Sequence, residues 1–296
     1  MACYHPLKGW RSKELTKSGK RKIVFNPKEA YTDQRIEIAC GQCRGCRLER
    51  SRQWAVRCIH EASMYEKNCF VTLTYDNENL PKDNSLYLEH FQEFIKKLRR
   101  KEGTEIRYYH CGEYGEETFR PHYHVLLFNY DFDDKSLLSI GNGTKLYTSD
   151  KCNKFWKNRG HCTIGDVTFQ SAAYVARYIM KKHLGPDQDD YYCGRKPEYT
   201  TMSRRPGIGK KWLEKYGKET YHSDFVVIKG KKVRIPKYYD GQQELDDPDG
   251  MRLTKIRRQI NAEKHLENNT RKRLAVREKI QELKIKKLKR GLENET

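Results

Sequence analysis

Two β-rich runs, EIRYYHCGEYG (105–115) and RPHYHVLLF (120–128), are separated only by a short polar turn. That spacing predicts an antiparallel hairpin. The run CFVTLTY (69–75) predicts a further strand, ending in the turn DNENLP. Between it and the hairpin lies SLYLEHFQEFIKKLRRKEG, an amphipathic helix. Its apolar stripe is Leu88, Phe91, Phe94, Ile95 and Leu98, and Gly103 follows its end. CTIGDVTF is a fourth strand candidate, and QSAAYVARYIMKKHL is a helix. The order strand, helix, hairpin, strand, helix predicts an α+β domain, a central antiparallel sheet with flanking helices.

Around this centre the signals are weaker. Residues 1–46 read as a loop-rich, cysteine-rich segment with short strand-like pieces (KIVF, RIEIA). RLERSRQWAVRCIHEASMYEK reads as a helix, and 129–162 as an insertion of loops with a short helix. DFVVIKGKKVRIPKYY suggests a hairpin about Lys229-Gly230-Lys231, and GQQELDDPDG an acidic linker. From Met251 the chain reads as one charged helix, with 15 lysines and arginines against 6 acidic residues. The expected organisation is 1–46, 47–240 and 241–296, the last a linker with a basic helical tail.

The net charge of +20 and a pI near 9.4 call for a polyanionic partner, most simply nucleic acid. An anionic membrane surface is the competitor. The sequence has no apolar run of transmembrane length and no signal peptide. A soluble protein of a reducing cytosol, with no membrane partner, is expected.

On a strand, residues i and i+2 share a face. His122 and His124 therefore point together, with Leu126 and Phe128 continuing that face inward. Two imidazoles on one pleat can bind a divalent cation, and a carboxylate usually completes such a site. Glu113, at the far end of the preceding strand, is the best third ligand. An H-x-H pair alone carries little in a chain with ten histidines.

Tyr174, Arg177, Tyr178 and Lys181 fall at i, i+3, i+4 and i+7 on one helical face, and Ala172, Val175, Ala176 and Ile179 on another. The aliphatic face should rest on the sheet, and two phenols interleaved with two cations should be presented opposite. A phenol is a poor nucleophile at neutral pH. A nearby cation and a metal-polarised phosphate lower that barrier.

Cys40, Cys43 and Cys46 form C-x2-C-x2-C. Thiolates at this spacing can share one structural Zn2+, with Cys3 as first choice for fourth ligand and His5 as second. An iron–sulfur cluster would need a fourth cysteine soon after, where RLER stands instead. Unliganded thiols are the alternative. In SRRPGIGKK, the cations Arg204, Arg205, Lys210 and Lys211 can track a DNA backbone or form a solvated turn. Thr72 and Thr74, on one face of their strand, can line a DNA cleft or be ordinary β-formers. The basic C-terminal helix suits a nucleic-acid arm, a partner-binding helix or a solvated one.

FVTLTYD, RPHYHVLLF and YVARYIMKK resemble the three ordered motifs of HUH endonucleases, the rolling-circle replication initiators, in their two-tyrosine form. MACYHPL, CGQCRGCRLERSRQWAVR and MSRRPGIG resemble more specifically the replication initiation proteins of microviruses, the gokushovirus group of small single-stranded-DNA bacteriophages. The resemblance covers roughly residues 1–240 and leaves the basic tail unmatched. It implies an HUH endonuclease-like domain of ferredoxin/RRM-like topology acting in the host cell cytoplasm. His122 and His124 would hold Mg2+ or Mn2+, with Glu113 a weaker carry-over. Tyr174 and Tyr178 would be alternating nucleophiles, forming a 5′-phosphotyrosine link and a free 3′-OH and later closing the displaced circle. Lys181 and Arg177 match basic residues following each tyrosine. The implied partners are single-stranded phage DNA and the replicative-form origin, with host helicase, DNA polymerase and single-strand-binding protein. Consistently, the chain has no G-x-x-x-x-G-K-[ST] run for ATP-driven unwinding. A transposase or relaxase of the same chemistry, and a non-catalytic zinc-containing nucleic-acid-binding protein, are the alternatives.

Overall fold

In chain order the elements are β1 (Leu7–Leu15), β2 (Arg21–Val24), β3 (Ala30–Ile38), α1 (Arg44–Ala62), β4 (Asn68–Thr74), α2 (Leu88–Glu102), β5 (Arg107–Tyr114), β6 (Pro121–Phe128), β7 (Ser136–Gly141), β8 (Thr144–Thr148), α3 (Asp150–Phe155), β9 (Cys162–Gly165), α4 (Phe169–Lys181), α5 (Gln188–Tyr192), β10 (Tyr199–Met202), α6 (Lys210–Ser223), β11 (Val226–Ile228), β12 (Lys231–Val233), α7 (Lys237–Asp246), α8 (Pro248–Glu263) and α9 (Arg271–Lys287). This computed structural model describes residues 3–16, 19, 21–115, 118–141, 144–181 and 187–287, with the side chains of 178–181 outside that description. The chain divides into two compact units, Met1–Glu49 with Arg257–Lys289, and Arg50–Ile256.

The larger unit is α+β. Its seven-stranded sheet has the order β10-β5-β6-β4-β9-β8-β7, with every neighbouring pair antiparallel. The β5–β6 hairpin forms as the sequence predicts, and β6 is buried along its whole length. A strand covered on both faces needs apolar residues at successive positions, which explains VLLF. On one face Val71, Leu73, Tyr123, Val125 and Leu127 pack against Phe91, Phe94 and Leu98 of α2. On the other, Phe70, Tyr109, Cys111, Leu126 and Phe128 pack against Ala55 and Cys58 of α1 and Ala172, Val175 and Ala176 of α4. The small residues of α1 and α4 allow close approach to the sheet.

The expected insertion at 129–162 is instead continuous with the sheet. β7 and β8 form a hairpin, and Tyr147 of β8 pairs with Ile164 of β9. The acidic stretch read as a linker is helical. α7 runs to Asp246 and α8 starts at Pro248. Proline is tolerated in a first helical turn, where its missing N–H has no partner to lose, and Asp249 beside it suits the positive end of the helix.

In the smaller unit, residues expected to be loop-rich form a three-stranded antiparallel sheet, β2-β1-β3. β3 is mostly exposed, so it carries no apolar alternation to read. The expected single C-terminal helix is interrupted by a short 3-10 turn at Leu266–Asn269. α9 is not a free arm. Its Leu274 is buried, Glu278 lies 2.8 Å from His5, and Glu282 lies 3.7 Å from Arg44.

Candidate functional site

β-Sheet register builds the site. In the β5–β6 ladder Glu113 stands opposite His122, and Cys111 opposite His124. In the β4–β6 ladder Thr72 stands opposite His124, and Thr74 opposite His122. Alternation sends Glu113, Thr72 and both histidines to the face covered by α4. Glu113 Oε1 lies 2.8 Å from Nε2 of His122 and 2.8 Å from Nε2 of His124. The Tyr174 hydroxyl donates to the same oxygen at 3.4 Å. All four side chains are buried.

Burial alone would raise the Glu113 carboxyl, but hydrogen bonds from His122 and His124 outweigh it and hold the group at about 2. The carboxylate is therefore ionised at any physiological pH. The imidazoles are oriented from behind. His122 Nδ1 donates to the Arg120 carbonyl at 3.1 Å, because a carbonyl can only accept. His124 Nδ1 lies 2.9 Å from the Thr72 hydroxyl. Both contacts leave Nε2 directed at the shared centre. The Phe70 ring stacks on His124 at 5.5 Å, and Tyr174 meets His124 edge-on at 5.1 Å.

Glu113, His122 and His124 each offer a ligand atom, all lying within 4.8 Å of one another. Two imidazole nitrogens and a carboxylate oxygen suit a divalent cation that keeps open positions. The donor set thus fits the ion that the sequence suggests.

The helix behaves partly as its pattern predicts. Ala172, Val175 and Ala176 are buried against the sheet. Tyr174 is not presented away from the sheet, as the helical pattern suggested. It belongs to the same buried cluster, 5% exposed, with its hydroxyl at the metal-ligand group. The helix phase sets it at the border of the aliphatic face, where it can still reach β5. The Arg177 guanidinium lies 5.9 Å from the Tyr174 ring centre, preserving the tyrosine–cation pairing. Tyr178 and Lys181 belong to α4, but their side chains lie outside the described residues.

Thr72 is an orienting partner of His124. Thr74 is engaged otherwise, donating to the His161 carbonyl at 2.9 Å. Arg204 and Arg205 are exposed in the loop after β10. Lys210 and Lys211 open α6. Lys210 lies 3.9 Å from Glu214, and Lys211 lies 5.5 Å from the Tyr65 ring centre. Sequence reading missed what holds this loop. Glu61 pairs with Arg107 in the interior and accepts the Gly209 amide at 2.6 Å. Arg107 also donates to the Pro206 carbonyl at 2.6 Å.

In the smaller unit Cys3, Cys40, Cys43 and Cys46 converge, their sulfurs all within 4.8 Å of one another. Cys3 to Cys40 is 3.6 Å, Cys3 to Cys43 is 3.9 Å, and Cys40 to Cys46 is 4.0 Å. Sulfurs bound tetrahedrally to zinc at about 2.3 Å would stand about 3.8 Å apart. Backbone amides of Tyr4, Cys40 and Cys43 donate to three of these sulfurs. Of the two fourth ligands considered, the geometry brings in Cys3. The His5 ring instead meets Glu278.

The sheet, the buried two-histidine, one-carboxylate cluster and its adjoining tyrosine define a metal-site protein of nucleic-acid metabolism when joined to the sequence comparisons. The family model for replication-associated proteins of the ORF2 type matches residues 68–183, the span from β4 through α4 that supplies every member of the cluster. The chain is 38% identical to replication-associated protein VP4 of Bdellovibrio phage phiMH2K, over 77% of this chain and 74% of that one. It is 37% identical to replication-associated protein ORF2 of Spiroplasma virus 4, over 74% and 72%. It is 31% identical to replication-associated protein ORF4 of Chlamydia phage 1, over 68% of this chain but 52% of that one. The chain belongs to the family of microvirus-type phage replication-associated proteins. No solved structure matches it.

Proposed function

We propose that this protein starts rolling-circle replication of a single-stranded-DNA phage genome by nicking the origin and later rejoining the displaced circle. The observation that carries the reading is the convergence of the Tyr174 hydroxyl, Glu113, His122 and His124 in one buried cluster. Family membership supports a role in replication, and the HUH-like reading of the sheet follows from it.

In this reading Glu113, His122 and His124 hold Mg2+ or Mn2+. The bound cation supplies a Lewis acid for a phosphate oxygen. The Tyr174 oxygen attacks the phosphorus, and the phosphorus–O3′ bond breaks. The phenolic proton faces Glu113, the nearest base, and the departing 3′ oxygen ends as a hydroxyl for a polymerase. The 5′ phosphate remains on tyrosine. The bond energy is retained in that ester, so rejoining by attack of a 3′-OH needs no nucleotide cofactor. Tyr178, one helical turn further on, is the second nucleophile, and Arg177 and Lys181 offset the phosphate charge. Arg204, Arg205, Lys210 and Lys211 hold DNA backbone on the loop fixed by Glu61 and Arg107. A structural Zn2+ on Cys3, Cys40, Cys43 and Cys46 fastens the smaller unit. Host helicase, polymerase and single-strand-binding protein complete the reaction in the host cytoplasm. Among the described residues no helix is long and apolar enough to cross a membrane.

The test is a denaturing gel of purified protein with single-stranded phage DNA and Mn2+, repeated with EDTA and with Tyr174→Phe, Tyr178→Phe and the double variant. A metal-dependent shifted band that the double variant lacks supports the reading. Tight DNA binding without any adduct would favour a non-catalytic binding protein.

A further inference from the structure

At the hairpin end of β5, one residue beyond Glu113, Tyr114 opens a cavity of about 290 Å³ that the proposed chemistry does not use. Its walls are Tyr114, Phe119, Tyr191, Tyr192, Arg195 and Glu198. Four of these six are aromatic and one is a cation.

Phe119 is the informative residue. It is 47% exposed, and its φ of 52° lies in the left-handed region that glycine or asparagine occupies readily. A bulky aromatic side chain there bears backbone strain without the return of burial. Strain of this kind is retained where a ligand uses the side chain. Arg195 reinforces the point. Its guanidinium lies 5.1 Å from the ring centres of both Tyr114 and Phe119, and its Nε donates to the Tyr192 carbonyl at 3.0 Å. Tyr191, also 47% exposed, meets Tyr192 edge-on at 5.0 Å.

Glu198 is buried and accepts the Tyr192 hydroxyl on Oε2, leaving its second oxygen to accept from a ligand. Flat exposed rings, a stacked guanidinium and one fixed acceptor match an unpaired nucleobase. The cavity is at the small end for ligand sites, fitting one base and excluding a duplex.

We propose that this cavity binds a single unpaired nucleobase of the DNA strand being processed, stacked on Phe119 and Tyr191 and read by Glu198. This deepens the replication reading and rests on it for the identity of the strand. Tyr114 pairs with Pro121 just as Glu113 pairs with His122, so the base site and the ligand cluster occupy successive rungs of one ladder. Strand alternation puts them on opposite faces, so the DNA crosses the hairpin end between them. Guanine, cytosine and adenine offer exocyclic amines to the Glu198 carboxylate. Thymine offers only an N–H flanked by two carbonyl oxygens that repel it. The pocket should therefore prefer an amine-bearing base.

The test is equilibrium binding of the full chain to fluorescein-labelled oligothymidylate carrying one central guanine, cytosine, adenine, thymine or abasic site. Anisotropy is read in EDTA, so that no cleavage is needed and failure of the nicking chemistry leaves the result interpretable. At least one amine-bearing base should bind about threefold or more tighter than thymine, and the abasic site should be weakest. Phe119→Ala and Tyr191→Ala should each weaken binding about fivefold or more, in line with loss of one stacked base. Glu198→Gln should narrow the amine preference. Thermal unfolding of each variant reports folding. If Glu198→Gln does not fold, Phe119→Leu, which keeps apolar bulk and loses the ring, carries the decision. Equal affinity for base and abasic oligonucleotides, or affinity of folded Phe119 variants within about twofold of the parent, would overturn the proposal. Retention of a metal-dependent adduct alongside that result would sink the base pocket and leave the nicking reading standing.

Discussion

The Thr72 hydroxyl stands 2.9 Å from Nδ1 of His124, across the β4–β6 ladder and behind the ligand cluster. With His124 Nε2 directed at Glu113, Thr72 decides how the ring is turned. Removing such an outer partner typically costs 10–100-fold in metal affinity. Thr72→Val, close in shape, is expected to weaken Mn2+ binding by about that factor. Thr72→Ser should restore most of it. Titration followed by electron paramagnetic resonance reads free Mn2+ directly, and unchanged affinity in Thr72→Val would remove the role given to this residue.

Tyr174→Phe keeps the ring that packs on Phe70 and His124 and deletes only the hydroxyl. Stability should change by less than about 1.5 kcal/mol, the net worth of one ordinary hydrogen bond. Covalent DNA adduct formation through this residue should vanish. Mapping the DNA-linked peptide by mass spectrometry distinguishes position 174 from 178. A parent protein that never carries DNA on Tyr174 would shift the first nucleophile elsewhere.

Purified protein should contain about one zinc per chain if the four cysteines act as a tetrahedral set. Substituting cobalt should give the intense visible absorption of tetrahedral thiolate coordination. Cys40→Ser should lose that spectrum and lower the midpoint of thermal unfolding. Metal-free protein that melts unchanged after thiol blocking would show that the sulfurs merely pack.

His60 is buried beneath Trp212, stacked at 3.5 Å, with Nδ1 3.1 Å from the Tyr239 hydroxyl. Burial pulls its protonation down to about 3 from an ordinary value of 6.5. The unfolded chain therefore binds a proton that the folded chain resists, between those two values. Its contribution to stability is complete above about pH 6.5 and drains away as pH falls toward 3. Urea unfolding at a series of pH values should show that decline, and His60→Phe should flatten it. An equally steep decline in the variant would assign the effect to other groups.

Glu61 and Arg107 form an ion pair in the interior that also holds the loop carrying Arg204 and Arg205. Glu61→Ala leaves an uncompensated buried cation and should cost about 3–5 kcal/mol in unfolding free energy. Replacing both partners with apolar residues should cost much less. DNA affinity should fall in the double replacement if the loop's position matters, which salt-dependent binding can measure.

Much of the site could be read from residue order because a strand repeats every two residues. H-x-H fixed one face of β6, and the hairpin fixed Glu113 within reach of it. Tyr174 was legible as a candidate but not as a buried group. A helical face is about a hundred degrees wide, and a residue at its edge can turn either way. Thr72 was visible only as a strand neighbour, because hydrogen bonding to His124 depends on a ladder that joins residues far apart in sequence. The three-stranded sheet of β1, β2 and β3 was nearly silent, since exposed strands need no alternating apolar pattern. The role of Phe119 was also hidden, because a backbone angle leaves no mark in composition.

The smaller unit is made from two segments far apart in the described chain, with β1, β2 and β3 meeting α9 only after the whole larger unit has been threaded between them. On the ribosome, the central sheet has all its strands long before α9 emerges. The first strands synthesised must therefore wait for a helix that comes last among the described elements. Assembly of the cysteine-bearing unit becomes a late event in the life of each molecule, and a chain stopped short of α9 would lack it while keeping every strand of the central sheet.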